Sequence, residues 1–430
     1  MAVHPERFEH RVSRTDASGA AASPVSSHAP PLLDPHDARH DALPTGRSAG
    51  LMLKHVACCV CGAEDCVPAG IGEDFEYRTS PDTFIAMRCR ECGLVYLDPR
   101  PAATELPRIY PPNYHAFDFS PERFGLVYRV RRSLEARRAL QWCRGLGDTA
   151  RILDVGCGDG FHLRLLRDFG RPGWKLEGID ASDRAVDAAR RAGLVVHHGT
   201  IEQLALPAAT YDLILLIATI EHVDDPAGVL RAVRRLLKPG GRVVIVTDNT
   251  ATLDFAVFGA RHWGGYHFPR HFNLFNRRTL ERLAANTELD VDSIETVMSP
   301  VNWVYSVRNA LVDWGAPAWL VERFSLRSPV ALAFFTLVDS AHQIAGAGAL
   351  LRAVLRRPAT AAAANDSAAV ASAATGRPSP EPGMSAAAAS RRSPPERSAP
   401  RRRIFARVRT PLTHTLPPDR WLSRARPLPP

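Results

Sequence analysis

Short apolar runs and helix-period stretches alternate through the middle of the chain. Ile152, Leu153 and Val155 form a run of the kind buried on both faces of a parallel sheet, and Leu163, Leu165 and Leu166 then fall in a helix-like pattern that begins at Phe161. Residues 175–180 read as a second strand and 184–192 as a helix stopped by Gly193. A third strand is predicted over 195–199, a fourth over 211–218, and a fifth over 242–247 after a helix opened by Asp225-Pro226. Upstream, residues 121–145 place Phe124, Val127, Val130, Leu134 and Leu140 at three- and four-residue steps, as on one face of an amphipathic helix. Downstream, Asn276 caps a helix over 277–288, a strand covers 291–298, and 349–357 is the only plausible last strand. Strand–helix alternation predicts an α/β, doubly wound fold around a largely parallel sheet.

Between the first strand and its helix lies Asp154-Val155-Gly156-Cys157-Gly158-Asp159-Gly160. Glycine lets backbone approach a ligand closely, and the helix N-terminus offers free N–H groups. The spacing is G-x-G-x-G rather than the G-x-G-x-x-G that accommodates a pyrophosphate. A carboxylate two residues before the first glycine would repel a pyrophosphate and suits a cationic or hydroxyl-bearing ligand. Asp180, twenty residues beyond Gly160 at the end of the second strand, offers two oxygens that match a vicinal diol.

Six of the eight cysteines fall between Cys58 and Cys92, and four of them form two C-x-x-C-G knuckles. Cys58, Cys61, Cys89 and Cys92 therefore predict a closed, structural four-thiolate zinc site, with Cys59 and Cys66 as spare thiols or replacement ligands. The formal charge of the chain is +9, but residues 358–430 hold twelve Arg against four acidic residues, which leaves the remainder near neutral. That argues against a nucleic-acid substrate for the folded part. No apolar run approaches the ~20 residues needed to span a bilayer, so we expect a cytoplasmic protein, with a peripheral membrane contact left open. Residues 1–50 and 358–430 lack apolar periodicity and read as disordered.

The D-V-G-C-G-D-G run closely resembles motif I of the class I S-adenosylmethionine (SAM)-dependent methyltransferases. The stretch 220–246, IEHVDDP…LKPGGRVVIV, resembles their later motifs, and CGLVYLDPRP followed by Tyr110 and Tyr114 resembles a zinc-ribbon module that precedes some of them. The resemblance implies a Rossmann-like seven-stranded sheet and SAM as cofactor. It assigns Asp154, Gly156, Cys157, Gly158 and Gly160 to the methionine moiety, Asp180 and Ala181 to the ribose, Thr200 and Ile201 to the adenine, and the backbone near Thr219 to the same pocket. It puts the two tyrosines and the loop 261–275, with its three histidines, Trp263 and Tyr266, on the acceptor side. His222 or His271 would be the catalytic base.

The layout expected is a zinc-ribbon-like module over 51–120, a methyltransferase domain over 121–300, and a helical insertion with the last strand over 301–357. The insertion, rich in apolar residues and Trp303, Trp314 and Trp319, reads first as a helical pair covering the core, with a lid, a dimer face or a patch touching a lipid-linked substrate as the alternatives. The leading reading is methyl transfer to a small molecule, such as a sugar, a lipid-linked glycan or another cell-surface precursor. An RNA nucleobase methyltransferase is an alternative, disfavoured because Thr219–Val223 stands where such enzymes carry an N/D-P-P-Y run. A non-catalytic SAM- or partner-binding assembly module is the other.

Overall fold

The computed structural model describes residues 50–111, 114 and 121–359. The tails expected to be disordered lie essentially outside the described residues. An N-terminal part contains β1 (Leu53–Lys54), β2 (Cys66–Gly72), β3 (Phe84–Cys89), β4 (Val95–Leu97), β5 (Arg100–Pro101) and α1 (Leu106–Ile109). Helix α2 (Pro121–Trp142) leads into β6 (Arg151–Val155), α3 (Phe161–Phe169), β7 (Lys175–Asp180), α4 (Asp183–Arg191) and β8 (Val195–His198). Next come β9 (Tyr211–Ile217), α5 (Pro226–Leu236), β10 (Leu237–Asp248), α6 (Leu253–Phe258), β11 (Asn273–Leu274), α7 (Arg277–Asn286) and β12 (Asp290–Val297). The insertion supplies α8 (Val301–Asp313), α9 (Ala318–Val321) and α10 (Pro329–Ile344) before β13 (Leu350–Arg356).

Seven strands form one sheet in the order β8-β7-β6-β9-β10-β13-β12. Strands β6 to β10 pair parallel, and β13 runs antiparallel to both of its neighbours. The chain winds outward from β6 in both directions, so the carboxyl ends of β6 and β9 flank the switch point where doubly wound sheets bind ligands. The apolar runs of β6 and β9 are buried because helices cover both faces. The caps follow side-chain chemistry: Ser182 Oγ accepts from Ala185 N at α4, and Asn276 and Thr279 form a capping box at α7.

A second, antiparallel sheet runs β2-β3-β4-β11. Three of its strands come from the cysteine-rich part, and the fourth comes from the segment after β10. Phe84, Val95 and Leu97 share a core there with Trp263, Tyr266, Phe268 and Phe272.

Two expectations need correction. Val130, Leu134 and Leu140 of α2 face solvent, while Ala139 and Trp142 pack with Ile152 of β6 and Ala136 packs with Phe161 and Leu165 of α3. Trp263 and Tyr266, read as loop chemistry, are each 1% exposed core side chains. Their polar tips are satisfied, Trp263 Nε1 donating to Asp254 at 2.8 Å and Tyr266 OH to the Gly259 carbonyl at 2.5 Å, so both rings can be buried.

Candidate functional site

The glycine loop turns off the end of β6 with Gly156, Gly158 and Gly160 all at positive φ (72°, 55° and 81°). A Cβ at Gly156 would lie 2.6 Å from Thr219 Oγ1, so a side chain there would close the space between β6 and β9. The amides of Gly156 and Cys157 donate to the Ile179 carbonyl at 2.8 and 3.0 Å, which pins the loop to β7. Asp180 accepts from Gly158 N and from Ser182 N, both at 2.9 Å. Its carboxylate is thus aimed at the loop, while Ser182 does the capping. Burial raises the Asp180 pKa.

Asp154 is 1% exposed, and its Oδ2 has no hydrogen-bond partner. Burial first, and the charge of Asp180 second, push it up from 3.8 to about 8. A buried carboxylate with an unpartnered oxygen beside a side-chain-free loop fits a ligand that carries positive charge and hydroxyls. SAM has both, so the residues present fit that cofactor.

The nominated cofactor residues do not all present side chains. Asp154, Gly156, Asp180 and Thr219 converge. Cys157 turns its sulfur into a cluster with Leu163 and Val186, and Ile201 is 1% exposed in the main core. The former leaves only backbone to a ligand, and the latter is a wall behind the site. Ala218, just before Thr219, holds a left-handed φ of 51°, a strained conformation of the kind that gathers at functional sites.

On the acceptor side the structure brings together residues far apart in sequence. His222 and His271 have ring centroids 4.5 Å apart. His271 Nδ1 lies 3.2 Å from Asp248 Oδ2 and 2.8 Å from the Gly265 carbonyl. Both partners are acceptors, so Nδ1 carries the proton and Nε2 keeps its lone pair. Burial alone lowers the His271 pKa, but the hydrogen bond and charge of Asp248, with the charge of Glu221, raise it on balance. His222 Nδ1 sits 3.0 Å from Tyr110 OH and 3.1 Å from the Arg270 carbonyl. Tyr110 meets Tyr114 edge-on at 5.1 Å, and Tyr114 meets Tyr77 at 5.6 Å. His267 pairs with Glu76 at 2.6 Å, and His262 with Asp313 at 2.9 Å, so the loop's three histidines face three different carboxylates.

Arg270 holds this half together. It is fully buried and binds both oxygens of the equally buried Asp74 at 3.1 and 2.9 Å, while its Nε donates to the Ile109 carbonyl at 2.6 Å. Its guanidinium covers the Tyr77 ring at 4.5 Å. Sequence reasoning passed over Arg270, Asp74, Glu221 and Asp248. A signal existed for Asp248, which ends β10 as Asp180 ends β7, at the ligand-facing carboxyl edge of the sheet.

Two groups here offer metal-binding atoms. The sulfurs of Cys58, Cys61, Cys89 and Cys92 lie within 4.8 Å of one another, with Cys58–Cys92 at 3.5 Å and Cys61–Cys89 at 3.4 Å. Four thiolates about 2.3 Å from a tetrahedral ion would be similarly spaced, so the set fits zinc. Gly62 N and Gly93 N close the two knuckles onto the carbonyls of Cys58 and Cys89. Cys59 points elsewhere, to Asn273 Oδ1 at 3.2 Å. Glu221, His222 and His271 also offer ligand atoms within 4.8 Å of one another.

Comparison with known proteins agrees with this geometry. A family profile described as "Methyltransferase domain" matches residues 127–294. A ubiquinone biosynthesis O-methyltransferase of Cereibacter sphaeroides is 34% identical over 170 residues, which is 36% of this chain and 67% of that one. The protein of the same name from Methylocella silvestris is 35% identical over 35% of this chain and 62% of its own length. A solved SAM-dependent methyltransferase from Thermotoga maritima overlies 55% of this chain and 93% of its own at 19% identity, with a TM-score of 0.37. Taken with the strand order and the glycine loop, the 34% identity to the Cereibacter sphaeroides O-methyltransferase over 67% of that protein's length establishes that the chain belongs to the class I SAM-dependent methyltransferases.

Proposed function

We propose that the protein transfers the SAM methyl group to a phenolic hydroxyl of a small aromatic acceptor, with His271 as the base. The observation that carries this is the Asp248–His271 pair, set among the rings of His222, Tyr110 and Tyr114. The O-methyltransferase names of its relatives support oxygen as the methylated atom.

Bound SAM supplies a methyl already activated on a sulfonium. The loop 156–160 and Thr219 hold the methionine end, Asp154 takes its cationic group, and Asp180 takes the ribose diol. Aromatic edges and faces from Tyr110, Tyr114 and Tyr77 orient the acceptor ring. His271 Nε2 accepts the hydroxyl proton as the oxygen becomes nucleophilic, and Asp248 fixes the tautomer and steadies the cation that results. His222 positions the acceptor beside it through Tyr110. Placing oxygen and methyl in line, away from water, carries most of the acceleration, of order ~7–11 kcal/mol. The cysteine group holds a structural zinc that keeps the N-terminal strands against the acceptor loop.

The test is methyl transfer from tritiated SAM to a panel of dihydroxybenzoates, free sugars and RNA. Transfer to a phenolic oxygen should fall by about 10²–10⁴-fold in His271→Ala, with S-adenosylhomocysteine binding intact. Transfer to a sugar or a nucleobase instead, or full turnover in His271→Ala, would refute this reading.

A further inference from the structure

Helix α10 carries its polarity inside out for a surface helix. Its sequence, PVALAFFTLVDSAHQI, contains no Lys, Arg or Glu. The outward positions Val330, Phe334, Leu337 and Ile344 are 78%, 60%, 73% and 91% exposed, and Ala333 and Ala341 complete the same stripe. The one charged residue, Asp339, faces inward at 1% exposure. It accepts from Ser299 N at 2.8 Å, Ala349 N at 3.2 Å and Trp303 Nε1 at 3.3 Å, which fixes the helix in this rotation. The apolar face is therefore held outward by a buried polar anchor, although leaving apolar surface in water is unfavourable.

The surroundings say what covers it. Trp314 and Trp319, 72% and 61% exposed, stand between α8 and α10, and amphipathic indole rings favour the lipid–water boundary. Arg323 lies over the Trp319 ring at 5.5 Å, and both Arg323 and Arg327 are exposed. Leu326 between them packs against a cluster of Tyr128 and Ala136 from α2 with Phe161 and Leu165 from α3. The outward stripe of α2 interleaves Leu126, Val130 and Leu134 with exposed Arg129 and Arg137. Arginine stems can lie along such a surface while the guanidinium groups reach anionic headgroups. Residues 358–430 tether twelve more Arg, against four acidic residues, to the same chain. Apolar face plus basic segment is the two-signal arrangement that makes peripheral binding stable. The helix has 16 residues, and no helix among the described residues is long and apolar enough to cross a membrane, so it would lie in the interface plane.

We propose that the outer face of α10, with the arginines beside it, seats this protein on an anionic lipid surface. The contact is linked to the acceptor side through α8: Trp303 stacks on Phe335 at 5.9 Å, and Asn302 Nδ2 donates to Asp248 at 2.7 Å. The inference does not depend on which acceptor is methylated.

The experiment is co-sedimentation of the full chain with phosphatidylcholine vesicles, with and without phosphatidylglycerol. The wild type should sediment with the phosphatidylglycerol vesicles and less in high salt. Phe334→Glu/Leu337→Glu should lower partitioning by at least about tenfold while S-adenosylhomocysteine binding, checked by calorimetry, stays unchanged. The proposal is overturned if the wild type stays in the supernatant with both vesicles, or if the double variant sediments like the wild type. It is equally overturned if light scattering finds a dimer that the variant dissociates while neither protein binds vesicles, since the face would then belong to a second copy.

Discussion

The cofactor half and the acceptor half of this molecule are built by opposite means. The cofactor half is local: Asp154, Gly156, Gly158 and Asp180 lie within 27 residues of one another, at the ends of the adjacent strands β6 and β7. Its geometry follows from backbone bonds such as Gly156 N to the Ile179 carbonyl. The acceptor half is assembled from Asp74, Tyr110, His222, Asp248 and His271, on separate stretches of chain, and its closure depends on one buried ion pair. The first can be preserved while almost anything else changes. The second should fail as a unit.

The largest expected effect is on that unit. Arg270→Met strands the Asp74 carboxylate, and breaking such a pair costs about 3–5 kcal/mol. Urea denaturation should show the loss, with turnover falling further than S-adenosylhomocysteine binding. Equal losses in both would mean that the halves are not separate.

On the proposed cofactor side, Asp180→Ala removes the acceptors of Gly158 N and Ser182 N and the carboxylate proposed to hold the ribose. Calorimetry should find S-adenosylhomocysteine affinity lower by about 1.5–3 kcal/mol, the range for hydrogen bonds to a charged group, with the melting behaviour of the acceptor half unaltered.

The smallest effect is a pH dependence. The Asp154 carboxyl is raised from 3.8 to about 8, so its contribution to stability is complete below the ordinary carboxylate range and is lost as pH rises toward 8. A cationic ligand favours the ionised form. Below pH 8 binding should therefore release up to about one proton, and SAM affinity should rise with pH until that point. Titration in buffers of different ionisation enthalpy measures the proton. Asp154→Asn should remove both the release and the slope, and a wild-type slope that persists in the variant would take Asp154 out of the cofactor site.

The contrast also explains what could be read from the chain alone. The centre of the sheet was legible because β6, β9 and β10 carry apolar runs, whereas β7 and β12 are largely polar and the full count of seven strands came from the resemblance. The glycine loop was legible because its spacing, with Asp154 before it and an apolar strand leading in, argues against a pyrophosphate. The cysteine knuckles were legible for the same reason, although only the fold shows Cys59 turning to Asn273. His222 and His271 could be nominated but not joined, since nothing in the sequence says that the residues after β9 meet the segment before β11. Arg270 was illegible because a lone Arg in a His-rich loop looks solvated, and its partner Asp74 is 196 residues away. The outward turn of α2 was misread because Val130 and Leu134 mark an apolar stripe without saying which way it faces.

The pairing of β11 with β4 has a practical consequence for anyone who would recombine this protein. The cysteine-rich part looks like a detachable cassette, yet its sheet is completed by Asn273 and Leu274, and its buried Asp74 is neutralised by Arg270. A graft of residues 50–111 alone would carry half an interface. A chimera that keeps this part folded must take the loop 261–275 along with it, so the boundary that matters for recombination is drawn through space rather than along the chain.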